Sequence, residues 1–445
     1  MCKLFSTSCR IVLGMLLCGL ALPAAGSDEI PGAPQTVPIA IVDADIFPVS
    51  SPPIPGGTIV FDKGRITGVG RQVPIPAGAR RIDGRGKRVY PGLFDSISDL
   101  GLVEINLVRQ TVDLRETGSI NPNVRAERAI NPDSEHISVT RSNGVLLSLV
   151  APEGGLISGS SAIIQLDGWT WEDLTLRAPA AIHLNWPNMR PQQRRYWMTE
   201  SPGAQNRARD EQLELIRKTF RDARAYQAAR QQDESVPFDS RWDAMVPVLE
   251  GRIPLVVHAN DLLQIQSAVA FARREKLRIV IAGGYDAVEC AELLRESGIP
   301  VILTGVHRLP QRRGEPYDAA YTLPRRLHEA QVKFAIAGLD RFNGNYRNLP
   351  YNAATAVAFG LDPAEALAAI TLRPAEIFGV ADRVGSLEVG KDATLFIADG
   401  DILEIPTRVE MAFVQGRELD LNDKQKRLYA KYAEKYRRQD RAESR

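Results

Sequence analysis

The side chains in this sequence that could move protons or hold a metal are few and scattered. Imidazoles and carboxylates are the groups for general acid and base work and for divalent cations, yet the five histidines, His136, His183, His258, His307 and His328, show no ligand spacing to one another. His258 closes the apolar run "IPLVVHAN" and reads either as a hydrogen-bonded core imidazole or as a side chain presented at a strand end. Asp340 closes "VKFAIAGLD", where its carboxylate either caps the helix that follows or stands at the end of the strand. "DSISD" carries Asp95 and Asp99 in what reads as a polar turn or as a pair of oxygen donors. After Asp340, "FNGNYRNLPYNAA" offers Asn345 and Arg347 on a loop, with Arg347 the candidate for an anion or carboxylate contact. "APEGGLISGSSAIIQLDGWTWED" is rich in Gly and Ser without a phosphate-loop pattern and reads as a packed, turn-rich β segment.

The elements that must position these groups follow two patterns. "GGTIVFDKGRITGVG" alternates apolar residues on either side of Asp62, Lys63 and Gly64, which predicts a hairpin. "GSLEVGKDATLFIAD" and "VEMAFVQGREL" repeat that style near the other end, so residues 36–90 and 385–420 are expected to form one small β domain. Between them apolar strand-like runs alternate with helical stretches: "IPLVVHAN", Leu262 to Glu275, "RIVIAGG", "AVECAELLRES", "IPVILTG", the stretch around Leu323 to Ala330, and "VKFAIAGLD". That alternation predicts an α/β fold, a (β/α)8 TIM-type barrel over residues 91–380, with strand ends and their loops at one mouth. The charged run Arg209 to Glu234 is expected to be a solvated helical excursion, and residues 423–445 a basic tail that is an exposed helix or disordered.

The chain begins with Lys3 and Arg10, an apolar run Ile11 to Leu22, and small residues at Ala24, Ala25 and Gly26, the pattern of a cleaved export signal over residues 1–26. Export to a periplasmic or extracellular space is therefore expected, with no integral membrane segment in the mature form. Three of the four cysteines lie in that segment, so the mature chain keeps only Cys290, which "AVECAEL" places in an apolar helical stretch as a buried, inert thiol. Fifty-five Lys and Arg against 54 Asp and Glu leave a net charge of +1, so no global field draws nucleic acid or an anionic membrane. A small-molecule substrate or ligand is the expected partner.

"TIVFDKGRITGVG", "IDGRGKRVYPGLFDS", "ALAAITLRPAEIFGV" and "DRVGSLEVGKDATLFIADGD" resemble, in order, the framework blocks of the amidohydrolase superfamily, most nearly its imidazolonepropionase-like branch; "GRIPLVVHAND" and "VKFAIAGLD" fit as middle blocks. The resemblance implies a barrel with a composite β-sandwich from the two chain ends, and metal-dependent hydrolysis, mostly of C–N bonds. It also implies a ligand set: His-x-His after the first barrel strand, an acidic or Lys position near the middle, a His on each of strands five and six, and an Asp on strand eight as proton shuttle. Carried onto this chain, the His-x-His falls on Ile97 and Asp99, the middle position on Asn185 and the strand-six His on Gly283, while His258 and Asp340 match. The resemblance thus implies a degenerate divalent metal (zinc) centre, weak or absent, with His258 and Asp99 as metal candidates, Asp340 as the catalytic one and Arg347 and Asn345 as substrate contacts. The expected function is an exported hydrolase of non-peptide or cyclic amide C–N bonds. The alternative is an inactive pseudoenzyme serving as a binding module, as a homo-oligomer or in complex with an active paralogue.

Overall fold

The computed structural model describes residues 29–191, 200–338 and 344–443; the proposed export segment lies outside them. The first strands are β1 (Ile39–Ile46), β2 (Ile54–Asp62), β3 (Arg65–Gly70), β4 (Arg80–Asp83) and β5 (Arg88–Pro91). The predicted hairpin joins β2 to β3, and its turn needs Gly64, whose φ is +78° beside Lys63 at +48°. From the far end of the chain come β14 (Leu395–Ala398), β15 (Val409–Val414) and β16 (Arg417–Glu418). All eight form one sheet in the order β16-β15-β14-β5-β1-β2-β3, with β4 beside β1. The seam between the two chain ends is the antiparallel pair β5–β14, in which Leu395 lies opposite Pro91. Ile41, Ile59, Phe61, Val89, Leu395 and Phe413 fill the core of this unit.

The second sheet holds β6 (Leu93–Ser98), β7 (Val145–Val150), β8 (Ile157–Gln165), β9 (Thr175–Asn185), β10 (Leu255–Ala259), β11 (Ile279–Gly283), β12 (Val301–Leu303) and β13 (Phe334–Ile336), paired in that order. Two apolar cores separate inside from outside. Phe94, Ile97, Leu149, Ala181, Val256, Val280, Ala282, Ile302 and Ala335 fill the interior, and Leu93, Leu184, Leu255, Val257, Ala259, Ile281, Val301 and Ile336 face the helical layer. The alternation along each strand is what a barrel wall packed on both faces requires. The fold is the expected α/β barrel with a β-rich unit built from both chain ends.

One strand departs from the all-parallel pattern. β8 runs antiparallel to both β7 and β9. Only residues 151–156 connect β7 to β8, too few for the crossover of a dozen or more residues that a parallel neighbour needs. Gly154 and Gly155, with φ of +88° and +64°, take the reversal instead. The consequence is positional: this turn and the start of β8 lie at the same end of the barrel as the last residues of β9 and β10.

The charged run expected to be solvated is the helix Pro202–Gln232, which still buries Ile216, Phe220 and Ala223 against the barrel. The basic tail is the helix Lys424–Glu443. No helix among the described residues is long and apolar enough to cross a membrane.

Candidate active site at the barrel mouth

A cavity of about 160 Å³ opens at the end where β6, β9 and β10 finish. Ile97 and Ser98 from β6, Glu153 and Gly154 from the turn, Ser158 from the start of β8, Asn185 from β9 and His258 from β10 line it. Parallel pairing sets the floor: β10 lies between β9 and β11, with Val256 opposite His183, His258 opposite Asn185 on one side and opposite Ala282 on the other.

His258 does not stand alone. His183, from β9, is wholly buried, and its Nδ1 lies 3.0 Å from Nε2 of His258. One ring donates to the other, so His258 Nε2 is already claimed by a protein partner. His183 Nε2 is buried without any hydrogen-bond partner. Burial pushes the His258 pKa down to about 4. Burial, and secondarily the neighbouring ring, holds His183 well below the usual histidine range. The pair is neutral near pH 7, and an uncharged imidazole in an enclosed pocket can accept or relay a proton.

Opposite the pair, Glu153 forms the lip. Much of its surface is open to solvent, while the protein crowding its carboxyl, then the charge of Asp99, raise its pKa against the pull of Arg115. Solvent screening keeps that effect modest. Asn185 turns its amide away, donating to the Gly155 carbonyl at 3.0 Å and to Ser158 Oγ at 3.1 Å.

Asp99 is buried below this lip, but it does not line the cavity. The Tyr346 hydroxyl donates to its carboxylate, and burial raises its pKa in spite of that bond. Asp95, on β6, is completely buried. One carboxylate oxygen accepts the Gly338 N–H at 2.9 Å and the other has no partner. Burial pushes Asp95 up to about 7, as befits a carboxyl whose second oxygen has nothing to stabilise its charge.

Three expectations for individual residues need correction. Asp99, expected as a metal candidate, accepts from the Tyr346 hydroxyl and does not line the cavity with His258. Gly283 is not the strand-six position facing the cavity. It pairs with Ala259, whose side chain faces the helices, while Ala282 sits beside His258 and faces inward. Arg347 and Asn345 do not reach the cavity: Asn345 precedes the short helical turn Tyr346–Asn348, the Arg347 carbonyl accepts from Asn143 at 2.6 Å, and the Arg347 charge presses on Lys426 of the C-terminal helix. Asp340 lies outside the described residues. His183 and Glu153 are the residues that the sequence reading did not select. Cys290 is buried, with its thiol pushed up to about 11 by that burial, as an inert thiol should be.

A larger cleft of about 700 Å³ lies between the helices Leu262–Glu275 and Ala319–Glu329. Its main charges are engaged with one another: Arg312 with Asp286 at 2.8 Å, and Arg308 with Glu315 at 3.1 Å. The mouth cavity, with His258 on its wall backed by the buried His183, is the better candidate for chemistry.

An amidohydrolase from Thermotoga maritima MSB8 superposes with a TM-score of 0.76 at 24% identity, over 86% of this chain and 99% of that one. Residues 273–420 match the amidohydrolase family model. In fold, and in sequence over residues 273–420, the chain is similar to the amidohydrolase superfamily. An imidazolonepropionase from Pseudomonas fluorescens (strain Pf0-1) is 29% identical over 172 residues, 38% of this chain and 40% of that protein. Amidohydrolase tasK of Hapsidospora irregularis is 24% identical over 392 residues, 81% of this chain and 39% of that protein. This chain thus spans about two fifths of the length of the curated relatives it matches. A Xaa-Pro dipeptidase with bound methionine in its active site shares the fold at a TM-score of 0.53 and 14% identity, over 86% of this chain and all of that one.

Superfamily members generally bind a divalent metal. The donor set does not fit one here: among the described residues no three His, Cys, Asp or Glu side chains come together. His258 Nε2 is taken by His183, and the inward neighbours Ile97 and Ala282 are apolar.

Proposed function

We propose that this is an exported amidohydrolase-type hydrolase of small amide or cyclic amide C–N bonds, working with a degenerate metal centre. One observation carries the reading: the inward histidine of β10 is hydrogen-bonded to a second neutral imidazole, in a cavity just large enough for a small molecule. His258 faces the ligand as acceptor of a proton from a water whose oxygen bonds the amide carbon as the C–N bond breaks; His183 behind it fixes the ring and its tautomer, and the proton taken by His258 passes to the leaving nitrogen, with Glu153 at the lip beside it. Ser158, held by Asn185 on the same wall, supplies a polar contact for the amide. The basic start, apolar run and small residues of positions 1–26 support export.

Elemental analysis of the dialysed mature protein is expected to find well under one zinc per chain, and assays on small cyclic amides to find hydrolysis lost in His258→Gln. Near two metals per chain would contradict the degenerate centre. N-terminal sequencing of the mature form checks export, with cleavage expected close to Gly26. A binding module without turnover is the second reading, favoured by the apolar Ile97 and Ala282 at positions flanking His258. It predicts a cyclic amide that binds, by calorimetry, and is released unchanged.

A further inference from the structure

The helix Lys424–Glu443 is left unexplained by any reaction at the barrel mouth. Its ties to the body lie in its first turn, where Arg427 pairs with Glu135 at 3.5 Å and Lys426 donates to the Leu421 carbonyl at 2.6 Å. From Lys424 to Tyr432 every residue is exposed, as is every residue from Lys435 to Ala442. A helix of this length standing in water is marginal on its own propensity. Local pairs help, such as Arg438 with Glu434 at 2.9 Å, but each is worth only a few tenths of a kcal/mol.

Its surface is not evenly polar. Leu428, Tyr429, Tyr432 and Tyr436 are exposed by 42%, 77%, 48% and 59%, and at 3.6 residues per turn they share an arc of about 100°. Lys435 and Lys431 border that arc on one side; Asp440 stands at the other edge, with Arg437 farther round. The Lys431 and Lys435 ammonium groups lie 5.9 and 5.8 Å from the centres of the Tyr432 and Tyr436 rings. The helix carries eight Lys and Arg against three Asp and Glu, a net of +5, on a chain whose total is +1.

We propose that this helix is a docking element for an anionic lipid surface. Tyrosine has an apolar ring and a polar tip, and settles at headgroup depth; lysines and arginines beside it reach the lipid phosphates while their stems cover the rings. The stripe holds one leucine and three tyrosines, too little aliphatic surface for a packed helix pair. A charge of +5 opposes the approach of a second copy along the same face. The helix lies along the interface, and the barrel stays in solution.

The test uses the full mature protein and sedimentable vesicles. It should pellet with vesicles of phosphatidylcholine containing phosphatidylglycerol, release as salt rises, and stay in solution with phosphatidylcholine alone. The combined change Lys431→Glu, Lys435→Glu and Arg438→Glu should weaken binding by about a hundredfold, at roughly fivefold or more per basic residue. Tyr429→Ser with Tyr432→Ser and Tyr436→Ser should weaken it roughly tenfold at every salt concentration. Circular dichroism and the thermal midpoint establish that each variant remains folded. If a reversed-charge variant loses helix content, the tyrosine variant and the salt series still decide. Equal binding to neutral vesicles overturns the proposal, as does no binding to either kind. Tighter binding to duplex DNA than to the anionic vesicles overturns it too, as does a dimer that the same substitutions dissolve.

Discussion

Two buried aspartates, one in each half of the molecule, are treated in opposite ways. Asp392 sits where the composite β unit meets the barrel and holds two guanidinium groups, Arg65 at 2.7 Å and Arg383 at 2.8 Å. Asp95 is as deeply buried on the first barrel strand, yet it has backbone N–H groups on one oxygen and nothing on the other. Both oxygens of Asp392 are paired, although Arg383 Nε beside it has no partner, whereas Asp95 keeps one bare oxygen and His183 a bare ring nitrogen. Unfinished buried groups cost stability wherever they stand, and they collect at sites built for something other than stability.

The same substitution at both aspartates sharpens that contrast. Asp392→Asn should destabilise by about 3 kcal/mol, since it strips the charge from two cations at once, read as a lower denaturant midpoint. Asp95→Asn should do the reverse at pH 8. The folded pKa of Asp95, about 7, lies above its unfolded value, so the stability it contributes is complete below about pH 4 and lost as pH rises through about 7. Asparagine resembles the protonated side chain, so the variant should gain roughly 2 kcal/mol at pH 8 and show a flatter melting profile between pH 5 and 8. A loss at pH 8 equal to that of Asp392→Asn would erase the distinction between framework and mouth.

A smaller effect distinguishes the two candidate positions on β11. Ile97→His with Ala282→His places two imidazoles on walls that face His258 and should raise zinc affinity by about tenfold or more, measured by competition with a chelator. Replacing Ala282→His by Gly283→His should bring no gain and poorly folded protein. The φ of Gly283 is +100°, and a Cβ there would lie 2.0 Å from the Asn260 side-chain oxygen. Smallest of all, Arg347→Ala should change stability by less than about 0.5 kcal/mol and leave ligand binding at the mouth untouched; a large loss of affinity would return Arg347 to the site.

The sequence made the framework legible because its signals are local. The Asp62-Lys63-Gly64 turn, the alternating strands around it and the apolar strand-like runs between helices each specify their own few residues. The mouth was less legible because its geometry comes from sheet register. His183 and His258 are 75 residues apart and meet only because β9 and β10 run side by side. Glu153 lay within a Gly-rich turn with nothing to mark it. The choice between Ala282 and Gly283 depends on which way a side chain points, and one step along a strand reverses that. Arg347 was read as a loop residue at the barrel mouth, but it lies in the short helical turn Tyr346–Asn348 and its charge bears on Lys426 of the C-terminal helix.

The reversed strand β8 also bears on how the chain folds. β7, β8 and β9 form a meander within residues 145–185, joined by two short connections, while the remaining barrel strands must be gathered over far longer loops. Loop closure makes near neighbours in sequence the quicker partners. The meander is thus a natural nucleus, and it carries His183, Glu153 and Asn185 into place before β10 delivers His258. In refolding kinetics, Ile163→Val in the meander should slow the folding limb, whereas Ile336→Val on β13 should act on the unfolding limb. The site would then be assembled around a preformed half, with the histidine of β10 arriving last.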